Sequence, residues 1–286
     1  MKVIIIGAGR VGTAMGYLLK KSGVTILGVY NRHVDSTRKA IAKIGEGKAF
    51  SRDELLENLE QANLIMITTP DSQIKKAAEM IADARFKTGN YLMHMSGLLA
   101  SDILRVGTKA AGFFSFHPLQ AVANFAEGVR LLPQSVFTIE GDRRGEKFAA
   151  KLAGRLGVRY HFIDKRHKPL YHAAAVVASN YLVTLIDTSY RFLRKVGLDK
   201  PELREGILQL VKGTLSNIEK IGPEQALTGP VVRGDFATIE THQRAIREFL
   251  PDYYELYQLL GRYTSDLTGN KEMKFKFEHS GGNDDE

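Results

Sequence analysis

Lys2-Val3-Ile4-Ile5-Ile6-Gly7-Ala8-Gly9-Arg10-Val11-Gly12 is the stretch on which the reading of the whole chain turns. Val3–Ile6 is a short β-branched run with the composition of a buried strand. The glycines behind it are spaced Gly-x-Gly-x-x-Gly. That pattern is weak alone, but it informs when it follows a strand and opens a helix, and an amphipathic pattern does begin near Val11 and run to Lys21. In such a turn Gly7 permits the tight reversal, Gly9 lets the backbone approach a pyrophosphate, and Gly12 lets the helix pack closely on the strand. The helix N-terminus contributes free N–H groups and the positive end of its dipole. Gly7, Ala8, Gly9, Arg10, Val11 and Gly12 are therefore candidate cofactor-binding residues.

The next strand pattern, Thr25–Tyr30, ends at Asn31-Arg32. A site for NAD usually places an acid here to accept from the ribose hydroxyls. Asn31 carries no charge, and Arg32 offers a forked cation able to pair with a 2′-phosphate. Ser36 and Arg38 follow closely enough to add donors. The cofactor expected is NADP(H); the alternative is that Arg32 is a solvated surface charge. Thr68-Thr69-Pro70-Asp71 closes a third strand pattern. Thr68, Thr69 and Pro70 are further candidates because ligands sit at the carboxyl ends of parallel strands, and Asp71 or Ser72 can also cap the helix that follows.

Outward from these motifs, strands are predicted at Val3–Ile6, Thr25–Tyr30, Leu64–Thr68, Tyr91–His94, Gly112–Phe116, Val136–Ile139 and Val158–Phe162. Helices are predicted near Val11–Lys21, Ser36–Lys43, Asp53–Glu60, Ser72–Asp83, Ser101–Arg105 and Gly145–Leu156. The alternation predicts an α/β fold, a doubly wound and mostly parallel Rossmann sheet with helices on both faces. After Lys168 the β signal stops and helical patterns take over. The domains expected are residues 1–165 for the cofactor, 166–270 as an all-helical dimerisation and substrate domain, and 271–286 as a polar, disordered tail. A long helix is predicted over Pro169–Lys195. Its stretch AAAVVASNYLVTLI is apolar nearly all round, which predicts burial on every side, in a bundle or at a homodimer interface. It reads as too short and too polar to span a membrane.

Composition narrows the classes. The 286 residues are 44% hydrophobic and 25% charged, and none is cysteine. Disulfides, thiolate metal sites and cysteine nucleophiles are thereby excluded. The opening residues do not resemble a signal peptide, so a cytoplasmic protein is expected. The net charge of +8 favours anionic ligands. Arg143, Lys147, Lys151 and Arg155 recur every four residues, but no nucleic-acid motif accompanies them, so they read as a solvated helix face. No metal-ligand spacing such as HExxH occurs, and no metal is expected.

Several segments carry a likeness. The N-terminal half resembles the 6-phosphogluconate-dehydrogenase-like group, whose opening pattern is shared by pyrroline-5-carboxylate reductase and the deazaflavin-dependent NADP reductases. The whole chain more closely resembles a bacterial family that joins a Rossmann-like domain to a C-terminal domain of unknown function, number 2520. The matching stretches are GAGRVG at 7–12, HMSG at 94–97, SFHPLQ at 115–120, YHAAAVVASNYLV at 171–183 and LTGPVVRGDFAT at 227–238. The resemblance implies an NADP-dependent oxidoreductase fold with a helical dimerising domain, and it supplies no substrate.

Candidate chemistry lies at the ends of two predicted strands. His94-Met95-Ser96-Gly97 and Ser115-Phe116-His117-Pro118 place Ser96 and His117 where a nicotinamide or a substrate oxygen would be met. A histidine titrating near neutrality is a natural proton donor when hydride reduces C=N or C=O; alternatively His117 only caps the strand edge. A similar His-Pro in prephenate dehydrogenases favours the first placement. His172 and Ser179 share a helix face, and Asn180, Thr184 and Asp187 form a neighbouring stripe. His172 is a candidate substrate ligand. Thr184 and Asp187 read better as helix hydrogen bonds. Asn180 stands where related reductases approach the nicotinamide. Thr228 and Arg233 match the position of a substrate loop in pyrroline-5-carboxylate reductase, Arg233 as a carboxylate ligand; otherwise this is a helix start capped by Asp235. The activity expected is hydride transfer between NADP(H) and a small imine or carbonyl compound, with or without a carboxylate. The alternatives are a prephenate-type dehydrogenase, against which stands the want of an arginine cluster around His117 in this sequence, and a non-catalytic NADP-binding sensor.

Overall fold

The computed structural model describes residues 1–82, 84, 86, 89–107 and 109–279. The predicted helix end at Asp83 and the tail from 280 lie outside the described residues. The first part of the chain alternates β1 (Lys2–Ile6), α1 (Arg10–Lys21), β2 (Thr25–Tyr30), α2 (Val34–Ile44), β3 (Lys48–Ala49), α3 (Arg52–Asn58), β4 (Leu64–Ile67), α4 (Asp71–Met80), β5 (Tyr91–His94), β6 (Gly112–Pro118), α5 (Phe125–Leu131), β7 (Val136–Gly141), α6 (Arg143–Leu156) and β8 (Arg159–Phe162). The eight strands form one sheet in the order β3-β2-β1-β4-β5-β6-β7-β8. β1 to β6 run parallel, β7 is antiparallel to β6, and β8 runs parallel to β7.

Strand alternation explains the layers. Val3 and Ile5 of β1 face a core shared with Met15 and Leu19 of α1 and Leu152 of α6. Ile4 and Ile6 face the other core, with Leu55 of α3 and Ile74 and Ala78 of α4. Every β1 side chain from Val3 to Ile6 is therefore buried, as a central parallel strand requires. β1 and β4 are neighbours whose connections leave in opposite directions along the sheet. Their carboxyl ends form the crevice in which such sheets take ligands.

The helical part consists of α7 (Lys168–Val176), a π turn at Val177–Tyr181, α8 (Leu182–Lys195), α9 (Pro201–Ala226, broken at Gly222), α10 (Pro230–Arg233), α11 (Phe236–Phe249), α12 (Tyr254–Thr268) and α13 (Lys271–His279). Two compact units divide between Ser179 and Asn180. The division falls later than the expected boundary at 165/166. α7 stays with the first unit because Lys168 and Tyr171 bond to groups at the ends of β5 and β6.

Three expectations for the helical part need correction. The long helix is not buried on all sides: α8 contains no buried residue, and Val183 is 67% exposed. The helical run from Lys165 to Lys195 is also longer than predicted, at 31 residues, and is long and apolar enough to cross a membrane. Finally, Lys271–His279 is helix rather than tail. Met273 and Phe277, one turn apart, are buried with Val231 and Ile239 in the core of the second unit. A Cβ on Gly261 would sit 2.2 Å from the Phe277 ring, so the glycine makes room for it.

Candidate functional site

The glycine turn is built by backbone geometry. Gly7 has φ +86°, a left-handed conformation suited to glycine, and a Cβ there would stand 2.8 Å from the Thr69 backbone nitrogen. A Cβ on Gly12 would stand 2.0 Å from Thr68 Oγ1, so α1 can approach the end of β4 only without a side chain. Gly9 has open space where its side chain would be. The tight reversal and the close helix packing are the duties assigned to Gly7 and Gly12 from spacing. The Thr68 hydroxyl donates to the Gly7 carbonyl at 2.8 Å, and Thr13 Oγ1 donates to the Ala8 carbonyl at 3.1 Å, which pins the turn.

Beside the turn lies a cavity of about 550 Å³. Of the candidate cofactor-binding residues, Gly7, Ala8, Gly9, Asn31, Arg32, Ser36, Thr68, Thr69 and Pro70 line it. Arg10, Val11 and Gly12 do not; they form the start of α1 behind the turn. Two polar atoms of the wall, Asn31 Nδ2 and Thr69 Oγ1, are buried without a hydrogen-bond partner among the described residues. Unpaired buried polar groups are costly, and a ligand is the usual remedy. Arg38 does not join the wall; it lies 3.8 Å from Asp35, one turn back on α2. Lys76 of α4 supplies the second wall cation instead, with Tyr30, His33 and Gln73 alongside. The signal for Lys76 was present as a charged position one turn after Ser72, but only the sheet order shows which helix face meets the cavity.

A second cluster sits at the ends of β5 and β6. Lys168 is wholly buried, and its Nζ donates to Ser115 Oγ at 2.7 Å and to the Ser96 carbonyl at 3.2 Å. His117 Nδ1 and Tyr171 Oη are hydrogen-bonded at 2.9 Å. Gly97 fits between two imidazoles: its Cβ would lie 2.8 Å from His117 Nε2 and 2.9 Å from His172 Nδ1. His172 Nδ1 is buried without a partner. Sequence reasoning missed Lys168, because a lysine in the charged segment DKRHK reads as a solvated linker.

This environment corrects two expectations. Burial, then the nearby charge of Lys168, then His172 lower the His117 pKa to about 4, so it does not titrate near neutrality. His94 is likewise lowered to about 3 by burial and Lys168. Lys168 itself falls to about 8 through burial, held up by Glu140 and Asp71. Ser96, expected to touch a reacting group, is already saturated. Its hydroxyl donates to Asp71 Oδ2 at 2.7 Å and accepts from the Leu98 and Leu99 N–H groups at 3.2 and 3.0 Å. One donor and two lone pairs are thereby used, which makes Ser96 a brace for the turn.

Asn180, Thr228 and Arg233 belong to the second unit and are exposed. Asn180 lies in the π turn, whose extra residue breaks the regular helical spacing between His172 and Ser179. Thr184 donates back to the Asn180 carbonyl, and Asp187 pairs with Arg191, both within the helix. Thr228 lies in the loop before α10, and Arg233 ends that helix. Asp235 caps α11 by accepting from the Thr238 N–H at 3.1 Å. His242 packs on Tyr257, 2.9 Å from its hydroxyl.

Residues 1–118 match the Rossmann-like domain, and residues 135–264 match the domain of unknown function DUF2520. The chain joins a Rossmann-like domain to a DUF2520 domain. Among solved structures, a Thermotoga maritima protein of no stated activity is 28% identical to this chain, with a TM-score of 0.73, covering 94% of the chain and 99% of its own. A Bacteroides fragilis protein provisionally described as an NADP oxidoreductase is 23% identical, with a TM-score of 0.76 over 93% and 98% of the two chains. A Plasmodium falciparum pyrroline carboxylate reductase, solved with NADP bound, shares 13% identity and a TM-score of 0.60 over 94% and 98%. At 23% and 13% identity the likeness is one of fold.

Proposed function

We propose that this DUF2520 chain is an NADP(H)-dependent oxidoreductase acting on a small imine or carbonyl compound. The observation that carries the proposal is the cavity at the β1/β4 crevice, with its open Gly9 edge, two unpaired polar atoms and two cations. These residues fit a phosphorylated dinucleotide. The α1 N-terminus and Gly9 suit the pyrophosphate. Asn31 Nδ2 and Thr69 Oγ1 have hydrogen bonds to give, and Arg32 with Lys76 suits a 2′-phosphate. NADP(H), when bound, supplies or receives the hydride. The rest is the work of this chain's residues. His117, neutral at pH 7 and tethered by Tyr171, orients the substrate by hydrogen bonding, and His172 offers its unpaired Nδ1. Asn180, Thr228 and Arg233 enter the proposal through the family resemblance alone. The fold shared with the Plasmodium reductase, solved with NADP bound, supports NADP(H) as the cofactor.

The exposed apolar side chains of α8 and α9 are covered, in this proposal, by a second copy of the chain. Val183, Leu208, Leu210, Leu215 and Ile221 are exposed apolar side chains on these two helices, and exposure on this scale favours an interface. The Asp187–Arg191 ion pair in mid-helix suits a protein interface better than a bilayer.

The test is NADPH consumption with a panel of cyclic imines and 2-oxo acids. Turnover with at least one compound supports the assignment. Tight NADPH binding with no turnover on any would leave a binding protein.

A further inference from the structure

Lys168 is the lysine that the described residues bury completely. Its placement is unfavourable three times over. An ammonium loses its hydration there. It begins α7, at the end of the helix where the dipole is positive. Its ammonium donates to a neutral carbonyl and a neutral hydroxyl, with no carboxylate within ion-pairing distance among the described residues. The acids that face it are already engaged. Glu140 of β7 accepts from the Ser101 N–H and hydroxyl at 2.7 and 2.8 Å, and Asp71 of α4 accepts from Ser96. A brace alone would be served by a neutral side chain of similar length, since a buried charge without a close partner usually lowers stability.

The groups that Lys168 binds stand beside imidazoles: Ser96 precedes Gly97, whose Cβ would lie 2.8 Å from His117 Nε2 and 2.9 Å from His172 Nδ1, and Ser115 lies two residues before His117 on β6. His94 ends β5, His117 lies on β6, and His172 lies one turn along α7. Tyr171 is the remaining titratable neighbour, held protonated by burial. We propose that Lys168 is a positioning residue whose buried ammonium ties the Ser96–Gly97 turn to Ser115 and bars a second positive charge from His117. The pocket then presents His117 as an uncharged hydrogen-bonding group throughout the neutral pH range. The low pKa of His117 agrees with this arrangement, burial contributing most and Lys168 next. The proposal concerns the same site as the reductase assignment, yet its test needs neither cofactor nor turnover, so the two fail separately.

The experiment is an NMR titration of the histidine rings in the full chain, for wild type, Lys168→Gln and Lys168→Arg. In wild type His117 is expected to titrate near pH 4. In Lys168→Gln its midpoint should rise by about one pH unit, while Lys168→Arg keeps it low. A structural brace lost with its charge would unfold the turn without this charge-specific pattern. A wild-type midpoint near 6.5 overturns the proposal even should the Gln variant fail to fold. So does a folded Gln variant in which the midpoint stays where it was.

Discussion

At the scale of single residues, the first unit is held by side chains whose charge state differs between folded and unfolded chain. His94 and His117 bind protons less readily when folded, at about 3 and about 4 against 6.5 for the free side chain. As pH falls below about 6.5, the unfolded chain takes up these protons first, so stability is full above that pH and declines towards pH 3. The slope should approach about 1.4 kcal/mol per pH unit for each proton. Urea unfolding at pH 7.5 and pH 4.5 would measure it, and His117→Gln should flatten the decline by removing one proton. A stability independent of pH between these values would contradict the burial described. Lys76 lines the proposed nucleotide cavity instead. It is exposed, so Lys76→Ala should weaken NADPH by about fivefold at most and leave NADH unchanged. An equal loss for both nucleotides would move Lys76 from the 2′-phosphate to the pyrophosphate.

At the scale of elements, the chain spells out some features and hides others. The glycine turn, seven of the eight strands and the Asn31-Arg32 strand end are readable because spacing alone specifies them. β3 is two residues long and carries no period. α5 escapes because Gly128 interrupts its pattern, and that glycine is needed: its Cβ would lie 2.7 Å from Ala14 of α1. The antiparallel turn of β7 is hidden because composition does not encode strand direction. α13 hides Met273 and Phe277 among lysines and glutamates, though their spacing of four is that of one helix face. Met273→Ala should therefore destabilise the second unit by about 2–5 kcal/mol, measured by denaturant unfolding; a change within error would return 271–279 to the status of a tail. Gly12→Ala should force α1 away from Thr68, costing about 1–3 kcal/mol and most of the nucleotide affinity. Unchanged binding would mean that the close contact at 2.0 Å is relieved without moving the turn.

At the scale of the whole molecule, the chain leaves one question of cover and one of ligand. The apolar faces of α8 and α9 predict a dimer by light scattering at micromolar concentration, and Leu210→Asp should shift it to monomer. Monomer in the wild type would remove the second copy from the proposal. The spacing of His172 and Asn180 was the least readable, since the π turn changes the register of the helix that carries them. The ligand question is the central one, and equilibrium titration of the wild-type and Arg32→Ala chains with NADPH and NADH addresses it directly. The account predicts that wild type binds NADPH more tightly than NADH, and that Arg32→Ala weakens NADPH by about tenfold or more while leaving NADH nearly unchanged. Wild-type protein that binds both nucleotides equally, or neither, would contradict it.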